Sequence, residues 1–330
     1  MDLNRWQDPD PATLEPRVGD FLSALPGPTA IHVTGRDTTR TRVLVTLSHG
    51  NEPSGLEAVH RWLRSGRQPQ VNVAIVLGGV EAARTDPMFY FRMLPGQRDL
   101  NRCFNPPFLD APGQVAHAML RHIRSVQPEA VLDLHNTSGS NPAFGVTVGD
   151  SPEQRALCGL FATPVVVTEL RLGSLMEQDF GCPVVTIEAG GSRDDTASRV
   201  ADAGLAAYFE REDVFADPAP VDLLQHPHRL ELVRHARIDF ADRPLDGRDL
   251  TMRADIEQLN FVPVGVDEPL GWTGPDGTDV LRMGTGGDAG EFFRVLGGTL
   301  YARQPVRLFM ATTRADIAAS DCLFYFVCEG

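Results

Sequence analysis

The first two thirds of the chain alternate between two patterns of hydrophobic residues. Continuous apolar runs rich in β-branched residues, typical of buried parallel strands, occur at residues 43–47, 71–77, 130–134, 144–148, 164–168 and 184–188. Between these runs, apolar residues recur three or four positions apart, which predicts helices at residues 18–25, 55–64, 114–126 and 196–210. This alternation predicts an α/β fold built on a mostly parallel sheet.

The pattern changes after Asp217, where the stretch Asp217-Pro218-Ala219-Pro220 forms a stiff polar joint. Beyond it, glycine, proline and aspartate separate short apolar stretches at residues 261–266, 297–301, 306–310 and 322–327. Short strands at such spacing are typical of a small β-rich domain. We therefore expect an α/β domain at residues 1–217 and a β-rich domain at residues 218–330, which is a candidate contributor to a substrate pocket.

Composition excludes several classes of protein. The formal net charge of -14 argues against a nucleic-acid partner, because such binding needs clustered cationic residues. All 30 cationic residues are arginine, so no lysine is available for Schiff-base chemistry or a phosphate-binding P-loop. We expect no signal peptide and no membrane span, since the N-terminal residues are acidic and no apolar run reaches ~18 residues. Five widely spaced cysteines are typical of reduced thiols in a cytoplasmic protein. Assembly of this chain into a homo-oligomer is compatible with the sequence.

An imidazole and a carboxylate follow the first apolar run directly. His49 and Glu52 fall between the end of the run at residues 43–47 and the start of the next helix, where open α/β sheets place their ligand sites. The spacing alone is a weak signal, because the stretch His228-Arg229-Leu230-Glu231 repeats it in a polar segment without a preceding strand. We interpret that second copy as the solvated face of a helix.

A third candidate metal ligand, His135, ends another apolar run, at residues 130–134. Two histidines and one carboxylate would leave a fourth position for water, which is the donor set of a catalytic zinc site. The alternative is that these are unrelated histidines in two loops.

Two more stretches carry candidate chemistry. The loop at residues 92–102 is dense in arginine and amide groups, which bind carboxylates or a developing oxyanion, although a surface loop paired with local acids has the same composition. Glu188 ends the apolar run at residues 184–187 before two glycines and is a candidate general base. Glu169 has a similar context and competes with it, and either acid could instead cap a helix.

Taken together, four stretches in this order resemble the aspartoacylase and succinylglutamate desuccinylase branch of the zinc carboxypeptidase superfamily. They are His49-Gly50-Asn51-Glu52, Asp99-Leu100-Asn101-Arg102, Asp133-Leu134-His135-Asn136-Thr137 and Ile187-Glu188-Ala189-Gly190. The resemblance implies a three-layer zinc hydrolase domain with a mostly parallel mixed sheet. It covers residues 43–191 and leaves the C-terminal third without a matching motif.

The resemblance also implies roles for individual residues. One zinc ion would be held by His49, Glu52 and His135, and Glu188 would act as general base and then as general acid. Asn101 and Arg102 would hold a substrate carboxylate. An arginine would polarise the scissile carbonyl group, and both Arg92 and Arg98 are candidates for this role, with Arg92 preferred.

The expected activity is hydrolysis of the amide bond of an N-acyl amino acid or a related small carboxylate. A metallocarboxypeptidase or amidase acting on peptides would use the same zinc ligands, so these ligands do not separate the two activities. A zinc-binding or carboxylate-binding module without catalysis is a further alternative, and the presence of Glu188 argues against it.

Overall fold

The computed structural model describes residues 1–192, 194–284 and 286–329 of the chain. The chain divides into two compact units. The first unit consists of Met1–Asn136 and Ala143–Leu223, and the second consists of Thr137–Pro142 and the residues from Leu224 onward. The main division therefore falls after Leu223 rather than after Asp217. The composition of the sequence gives no sign that the short segment 137–142 belongs to the second unit.

In the described ranges, nine strands form the large sheet: β1 (Asn4–Gln7), β2 (Thr29–Val33), β3 (Asp37–Thr46), β4 (Val71–Leu77), β5 (Ala130–Thr137), β6 (Phe144–Thr147), β7 (Pro164–Val167), β8 (Val184–Gly191) and β9 (Asp222–Gln225). Their spatial order is β1-β2-β4-β3-β5-β8-β6-β7-β9. Strand β3 pairs in parallel with both β4 and β5, whereas β2 and β6 run antiparallel to β4 and β8, respectively. The predicted mixed sheet with mostly parallel strands is confirmed.

Six helices accompany this sheet: α1 (Val18–Ala24), α2 (Ser54–Arg64), α3 (Val80–Arg84), α4 (Ala111–Ser125), α5 (Pro152–Gly159) and α6 (Asp195–Glu210). Strand β3 is buried on both faces. Its Leu44 belongs to a core that includes residues of α1, α2 and α6, whereas Val43 and Val45 belong to a separate core with α4. Helices therefore cover both faces of the sheet, which gives three layers.

The register of the central strands brings two strand ends together. In the parallel pair of β3 and β5, Thr46 lies opposite Leu134. His49 and Glu52 follow the end of β3, and His135 is the residue after Leu134. All three candidate metal ligands therefore lie at one edge of the sheet, as expected for the carboxyl ends of parallel strands.

The second unit is rich in β-strands, as predicted. Its strands are β10 (His228–Leu232), β11 (Ile238–Ala241), β12 (Leu250–Arg253), β13 (Pro263–Val264), β14 (Pro269–Thr273), β15 (Leu281–Met283), β16 (Phe293–Leu296), β17 (Thr299–Ala302), β18 (Val306–Phe309) and β19 (Phe324–Cys328), with one helix, α7 (Ala315–Ser320). They form two five-stranded sheets, ordered β13-β18-β19-β10-β15 and β11-β12-β14-β17-β16. Nowhere in the described ranges is there a helix long and apolar enough to cross a bilayer.

Hydrogen bonds explain why the segment 137–142 belongs to the second unit. The amide of Ser140 donates to Glu257 Oε2 at 2.7 Å, and Asn260 Nδ2 donates to the Ser140 carbonyl at 2.9 Å. The amide of Met310 donates to Asn141 Oδ1 at 3.0 Å. Polar side chains far away in sequence therefore fix this segment, and no local pattern predicts such contacts.

The interpretation of residues 228–231 as a solvated helix face is wrong. These residues form most of strand β10, which pairs antiparallel with β15 and β19. Leu230 is fully buried, and the ring of His228 stacks on Phe326 with ring centroids 5.1 Å apart. Pairing with distant strands decided the local conformation, which the short polar pattern could not reveal.

Candidate active site

The chain between β3 and α2 makes an unusual turn that carries His49 and Glu52. Leu47, directly after β3, is fully buried and has φ +56, a left-handed conformation that is strained for a residue with a side chain. A Cβ atom on Gly50 would lie 2.6 Å from the carbonyl oxygen of Phe91, and the amide of Gly50 donates to the carbonyl of Arg92 at 2.9 Å. Only glycine permits this close approach, which fixes the Arg92 loop beside the turn.

The three candidate ligands meet around one carboxylate. His49 Nδ1 lies 2.7 Å from Glu52 Oε1, and His135 Nδ1 lies 2.7 Å from Glu52 Oε2. All three side chains are buried, and one ligand atom from each lies within 4.8 Å of the others. Two imidazole nitrogens and a carboxylate converging in this way fit the protein donor set of a catalytic zinc site.

A second carboxylate contacts the Nε2 atom of each histidine, the ring nitrogen that does not face Glu52. His49 Nε2 lies 2.9 Å from Asp99 Oδ1, and His135 Nε2 lies 2.9 Å from Asp133 Oδ2. The hydrogen bond with Asp99 fixes the tautomer and orientation of His49, as outer carboxylates do for metal-binding histidines, and Asp133 forms an ion pair with His135. The Nδ1 atoms are therefore the ones left to face a cation. Both aspartates lie in the motifs that surround the candidate ligands, but no role was predicted for them. Asp133 precedes His135 by two residues and therefore shares its face of the strand, which is the signal that could have identified it.

The charges of this cluster favour a cation at its centre. Burial alone would raise the pKa of Glu52, but the nearby His49 and His135 outweigh burial and hold this pKa well below its usual range. Burial would likewise lower the pKa of His135, but Asp133 and Glu52 raise it well above its usual value. Glu52 therefore stays ionised and attracts positive charge, which a divalent metal ion would supply.

Of the two candidate arginines, Arg92 is the one that reaches the cluster. Its Nη1 lies 3.5 Å from Glu52 Oε1, and its Nε and Nη2 donate to Asp99 Oδ2 at 3.1 and 2.9 Å. Arg98 instead points to the surface, where it makes two hydrogen bonds of 2.7 Å with Asp110. Asp99 thus bridges His49 and Arg92, a connection that sequence reasoning missed.

Asn101 and Arg102 form a short 3-10 helix, Leu100–Arg102, that follows Asp99. Asn101 Oδ1 accepts from the amide of Leu175 at 3.1 Å, and Asn101 Nδ2 lies 3.5 Å from His135 Nε2. Arg102 is half-buried, and its Nη1 donates to the Asn101 carbonyl at 2.9 Å. Asn101 therefore lies beside the candidate ligands, and Arg102 is tied to its backbone.

Glu188 lies on β8, the neighbour of β5, and interacts with the same cluster. Its Oε2 is buried and has no hydrogen-bond partner within the part of the chain that the structure describes. Burial raises the pKa of Glu188 to about 7, and the charge of Glu52 adds to this, whereas His135, His49 and Arg92 oppose it. A carboxyl group with such a pKa can both accept and donate a proton near neutrality.

The competing acid, Glu169, is exposed and follows β7, which β8 and β6 separate from β5 in the sheet. The structure therefore brings Glu188 to the cluster and leaves Glu169 outside it.

Asn136 connects three elements of the site, a role that the sequence analysis did not foresee. Its Oδ1 accepts from the amide of Ser54 at the start of α2, and its Nδ2 donates to the carbonyl of Gly190 on β8 at 3.0 Å. Its own amide donates to Glu52 Oε2 at 3.3 Å. This residue therefore joins the ends of β5 and β8 to the start of α2 around the candidate ligands.

Solved structures of known proteins share this fold. A succinylglutamate desuccinylase from Vibrio parahaemolyticus gives a TM-score of 0.60 at 14% identity, with 96% of both chains covered. A succinylglutamate desuccinylase/aspartoacylase from Rhodobacter sphaeroides gives a TM-score of 0.58 at 16% identity, covering 91% of this chain and 88% of its own. The product-bound ectoine utilization protein EutE (DoeB) from Ruegeria pomeroyi gives 0.57 at 17% identity, covering 91% and 87%. At these identities the similarity establishes the fold, and it confirms the predicted fold class.

Sequence comparison identifies the family. No curated protein matches this chain by sequence. The family model of the succinylglutamate desuccinylase/aspartoacylase catalytic domain matches residues 38–207, which is more than half of the chain and includes every candidate site residue named above. The chain therefore belongs to the succinylglutamate desuccinylase/aspartoacylase family, a family of deacylases that hydrolyse amide bonds.

Proposed function

We propose that this protein is a zinc-dependent hydrolase that removes the acyl group from an N-acyl amino acid or a related small carboxylate. The observation that carries the proposal is the convergence of His49 and His135 on the two oxygens of Glu52, each through Nδ1 at 2.7 Å. Family membership supports the reaction class, because an amide bond is what the deacylases of this family cleave.

In this proposal, His49, Glu52 and His135 hold one zinc ion through two imidazole nitrogens and a carboxylate. When bound, zinc lowers the pKa of a water molecule toward ~7 and stabilises the negative charge that develops on a carbonyl oxygen. Asp99 and Asp133, each 2.9 Å from the Nε2 atom of its histidine, would hold the two imidazole rings in place for metal binding.

Glu188 moves the proton in this reaction. Ionised Glu188 accepts a proton from the attacking water at Oε2 and then donates it to the nitrogen of the leaving amine. A pKa raised by burial to about 7 suits both steps, because the free energies of the protonated and ionised forms are then similar near neutral pH. Such positioned proton transfer typically accelerates a reaction by about 10²- to 10⁴-fold.

The arginines and Asn101 bind and orient the substrate in this proposal. Arg92, anchored by Asp99, polarises the scissile carbonyl group and stabilises the oxyanion that forms from it. Asn101 and Arg102 hold the carboxylate of the amino acid, which favours small acidic substrates over a long polymer.

The test is an assay of purified protein with measured zinc content against a panel of N-acetyl and N-succinyl amino acids and short peptides. The proposal expects release of acetate or succinate, loss of this activity after chelation, and recovery when zinc is restored. Cleavage of peptides alone would instead support a metallocarboxypeptidase or amidase. Stoichiometric zinc without any hydrolysis would support a binding module that lacks catalysis.

A further inference from the structure

A cavity of about 190 Å³ lies in the first unit beside the candidate active site. The ends of β3 and β4, the loop from Arg92 to Leu100 and the first turns of α4 enclose it. Its volume is comparable to that of a ~150 Å³ cavity that accommodates benzene in another protein. The cavity therefore has room for a chain of a few carbon atoms but not for a second amino acid with a large side chain.

The walls of this cavity are largely hydrophobic. The apolar side chains that line it come from the loop, from the start of α4 and from α3: Met93, Leu94, Leu100, Pro112, Val115 and Ala82. Burial of apolar ligand surface against such walls is favourable at roughly 25 cal/mol per Å². The lining therefore favours a hydrocarbon group over a polar one.

Two residues connect the cavity to the reaction centre. Arg92 is part of the cavity wall, and its Nη1 lies 3.5 Å from Glu52. Ser48 also lines the cavity and directly precedes His49. Ser48 is 3% exposed, and its Oγ has no hydrogen-bond partner among the residues described. A buried hydroxyl group without a partner at this point indicates that a ligand completes the site.

Each charged side chain that lines the cavity is paired with a neighbouring residue of opposite charge. Arg92 makes two hydrogen bonds with Asp99, and Arg98 makes two hydrogen bonds of 2.7 Å with Asp110. The one acidic lining residue, Glu81, pairs with Arg84. Among the described lining residues, a carboxylate at the far end of a ligand would therefore meet no unpaired cationic side chain, and its burial there would be unfavourable.

We propose that this cavity receives the acyl chain of the substrate, and that this chain is short, unbranched and uncharged. The inference rests on the proposed deacylase function and specifies its substrate class. An acyl group whose carbonyl oxygen faces Arg92 extends into the cavity past Ser48 and contacts Leu94, Leu100 and Val115. Succinyl groups are excluded by their terminal carboxylate, although several proteins of similar fold are named for removing them.

The decisive comparison uses acyl groups of equal length. Zinc-loaded protein is assayed with N-acetyl, N-butanoyl, N-hexanoyl and N-succinyl derivatives of one amino acid, chosen as the best substrate of an N-acetyl panel. Each methylene that enters the cavity is expected to raise kcat/KM by about 4-fold, so that butanoyl exceeds acetyl by about 15-fold. N-butanoyl is expected to exceed N-succinyl by at least about tenfold. Equal or faster cleavage of the N-succinyl compound would overturn the inference.

Variants of Val115, a half-buried residue of α4 that lines the cavity, test the location of the acyl chain. Val115→Phe fills the cavity and is expected to reduce the ratio of N-butanoyl to N-acetyl kcat/KM from about 15 toward 1. Val115→Ala enlarges the cavity and is expected to shift the preferred chain toward hexanoyl. Val200→Phe is the matched control, because Val200 is a half-buried valine on α6 outside the cavity. Unchanged ratios in both Val115 variants would overturn the inference even if one of them folded poorly.

A binding measurement separates this inference from the proposed function. Butanoate and succinate are compared by saturation-transfer NMR on wild type and Val115→Phe, without any requirement for turnover. Butanoate binding that Val115→Phe abolishes supports the cavity as an acyl site even if no amide is hydrolysed, in which case the proposed function alone fails. Hydrolysis of N-acyl amino acids without butanoate binding and without dependence on chain length would support the proposed deacylase function. It would reject the cavity as the binding site of the acyl chain.

Discussion

Asp133 Oδ2 lies 2.9 Å from Nε2 of His135, two residues further along the same strand. The two side chains share one face of β5, because successive residues of a strand point to opposite faces. Asp133 is fully buried, so its interaction with the imidazole ring is little screened by water. This pair directs His135 Nδ1 toward Glu52, where the metal is expected.

Replacement of this aspartate should weaken zinc binding without removing a ligand. Asp133→Asn is expected to lower zinc affinity by about 10- to 100-fold, because the neutral amide no longer supplies the negative charge that makes His135 more basic. Competition with a chromogenic chelator measures the affinity. Asp202→Asn is the control, since Asp202 pairs with Arg61 on the surface. Equal zinc affinity in Asp133→Asn and wild type would show that the Asp133 carboxylate does not contribute to zinc binding.

The two arginines of the 92–102 loop should differ sharply in their effect on catalysis. Arg92→Ala is expected to lower kcat by about 10²- to 10³-fold, as loss of one oxyanion-stabilising donor does in other hydrolases. Arg98→Ala is the comparison variant, because Arg98 lines the cavity but pairs with Asp110 at the surface and does not reach Glu52 or His49, so a much smaller loss is expected. Steady-state kinetics of both variants tests this. A larger loss in Arg98→Ala than in Arg92→Ala would reverse the assignment.

Much of the site could be predicted because its ligands lie where strands end. His49 and His135 each follow an apolar run, and parallel pairing of these runs was enough to bring the histidines to one edge of the sheet. The order of four short stretches along the chain pointed to the family. The α/β class and the main helices could also be predicted, because they depend on local hydrophobic periodicity.

What the sequence did not reveal depends on contacts between distant residues. The left-handed conformation of Leu47 and the bridge from His49 through Asp99 to Arg92 have no local signature. The same holds for the strand at His228, which pairing with β15 and β19 imposes on a polar stretch. In each case a tertiary interaction decides between conformations that the local sequence leaves nearly equal in free energy.

Arg42 lies outside the candidate active site and should be essential for the stability of the fold. It is fully buried on β3, where Nε pairs with Glu129 at 2.6 Å and Nη1 donates to the carbonyls of Tyr208 and Arg211 at 2.7 Å. Arg42→Met keeps the volume but removes the buried donor to the carbonyls at the end of α6, and it leaves Glu129 with Arg40 as its remaining partner. The free energy of unfolding is expected to fall by about 3–5 kcal/mol.

Urea denaturation of metal-free protein measures the effect of Arg42→Met. Arg40→Met is the control, because Arg40 also pairs with Glu129 but is 37% exposed. The control is expected to lose about 1 kcal/mol or less. A similar decrease in the free energy of unfolding in both variants would mean that the buried position of Arg42 does not increase its contribution to stability.

Glu188 should control the pH dependence of the reaction. Hydrolysis needs the ionised form of this general base, so kcat/KM rises with pH as Glu188 loses its proton. Burial raises its pKa to about 7 in the metal-free site. A bound zinc ion would lower this pKa, because a cation stabilises the nearby carboxylate. The acidic limb of the kcat/KM profile of the zinc-loaded protein is therefore expected at or below about pH 7.

Glu188→Gln should remove this acidic limb and lower kcat by about 10²- to 10⁴-fold, while zinc content stays at one ion per chain. Glutamine preserves the shape of the side chain but cannot accept a proton, so the loss reports proton transfer rather than a missing contact. Glu169→Gln is the control and is expected to retain both rate and profile, because Glu169 is exposed and lies outside the cluster. Undiminished turnover in Glu188→Gln would show that Glu188 does not transfer the proton, because the glutamine that replaces it cannot act as a base.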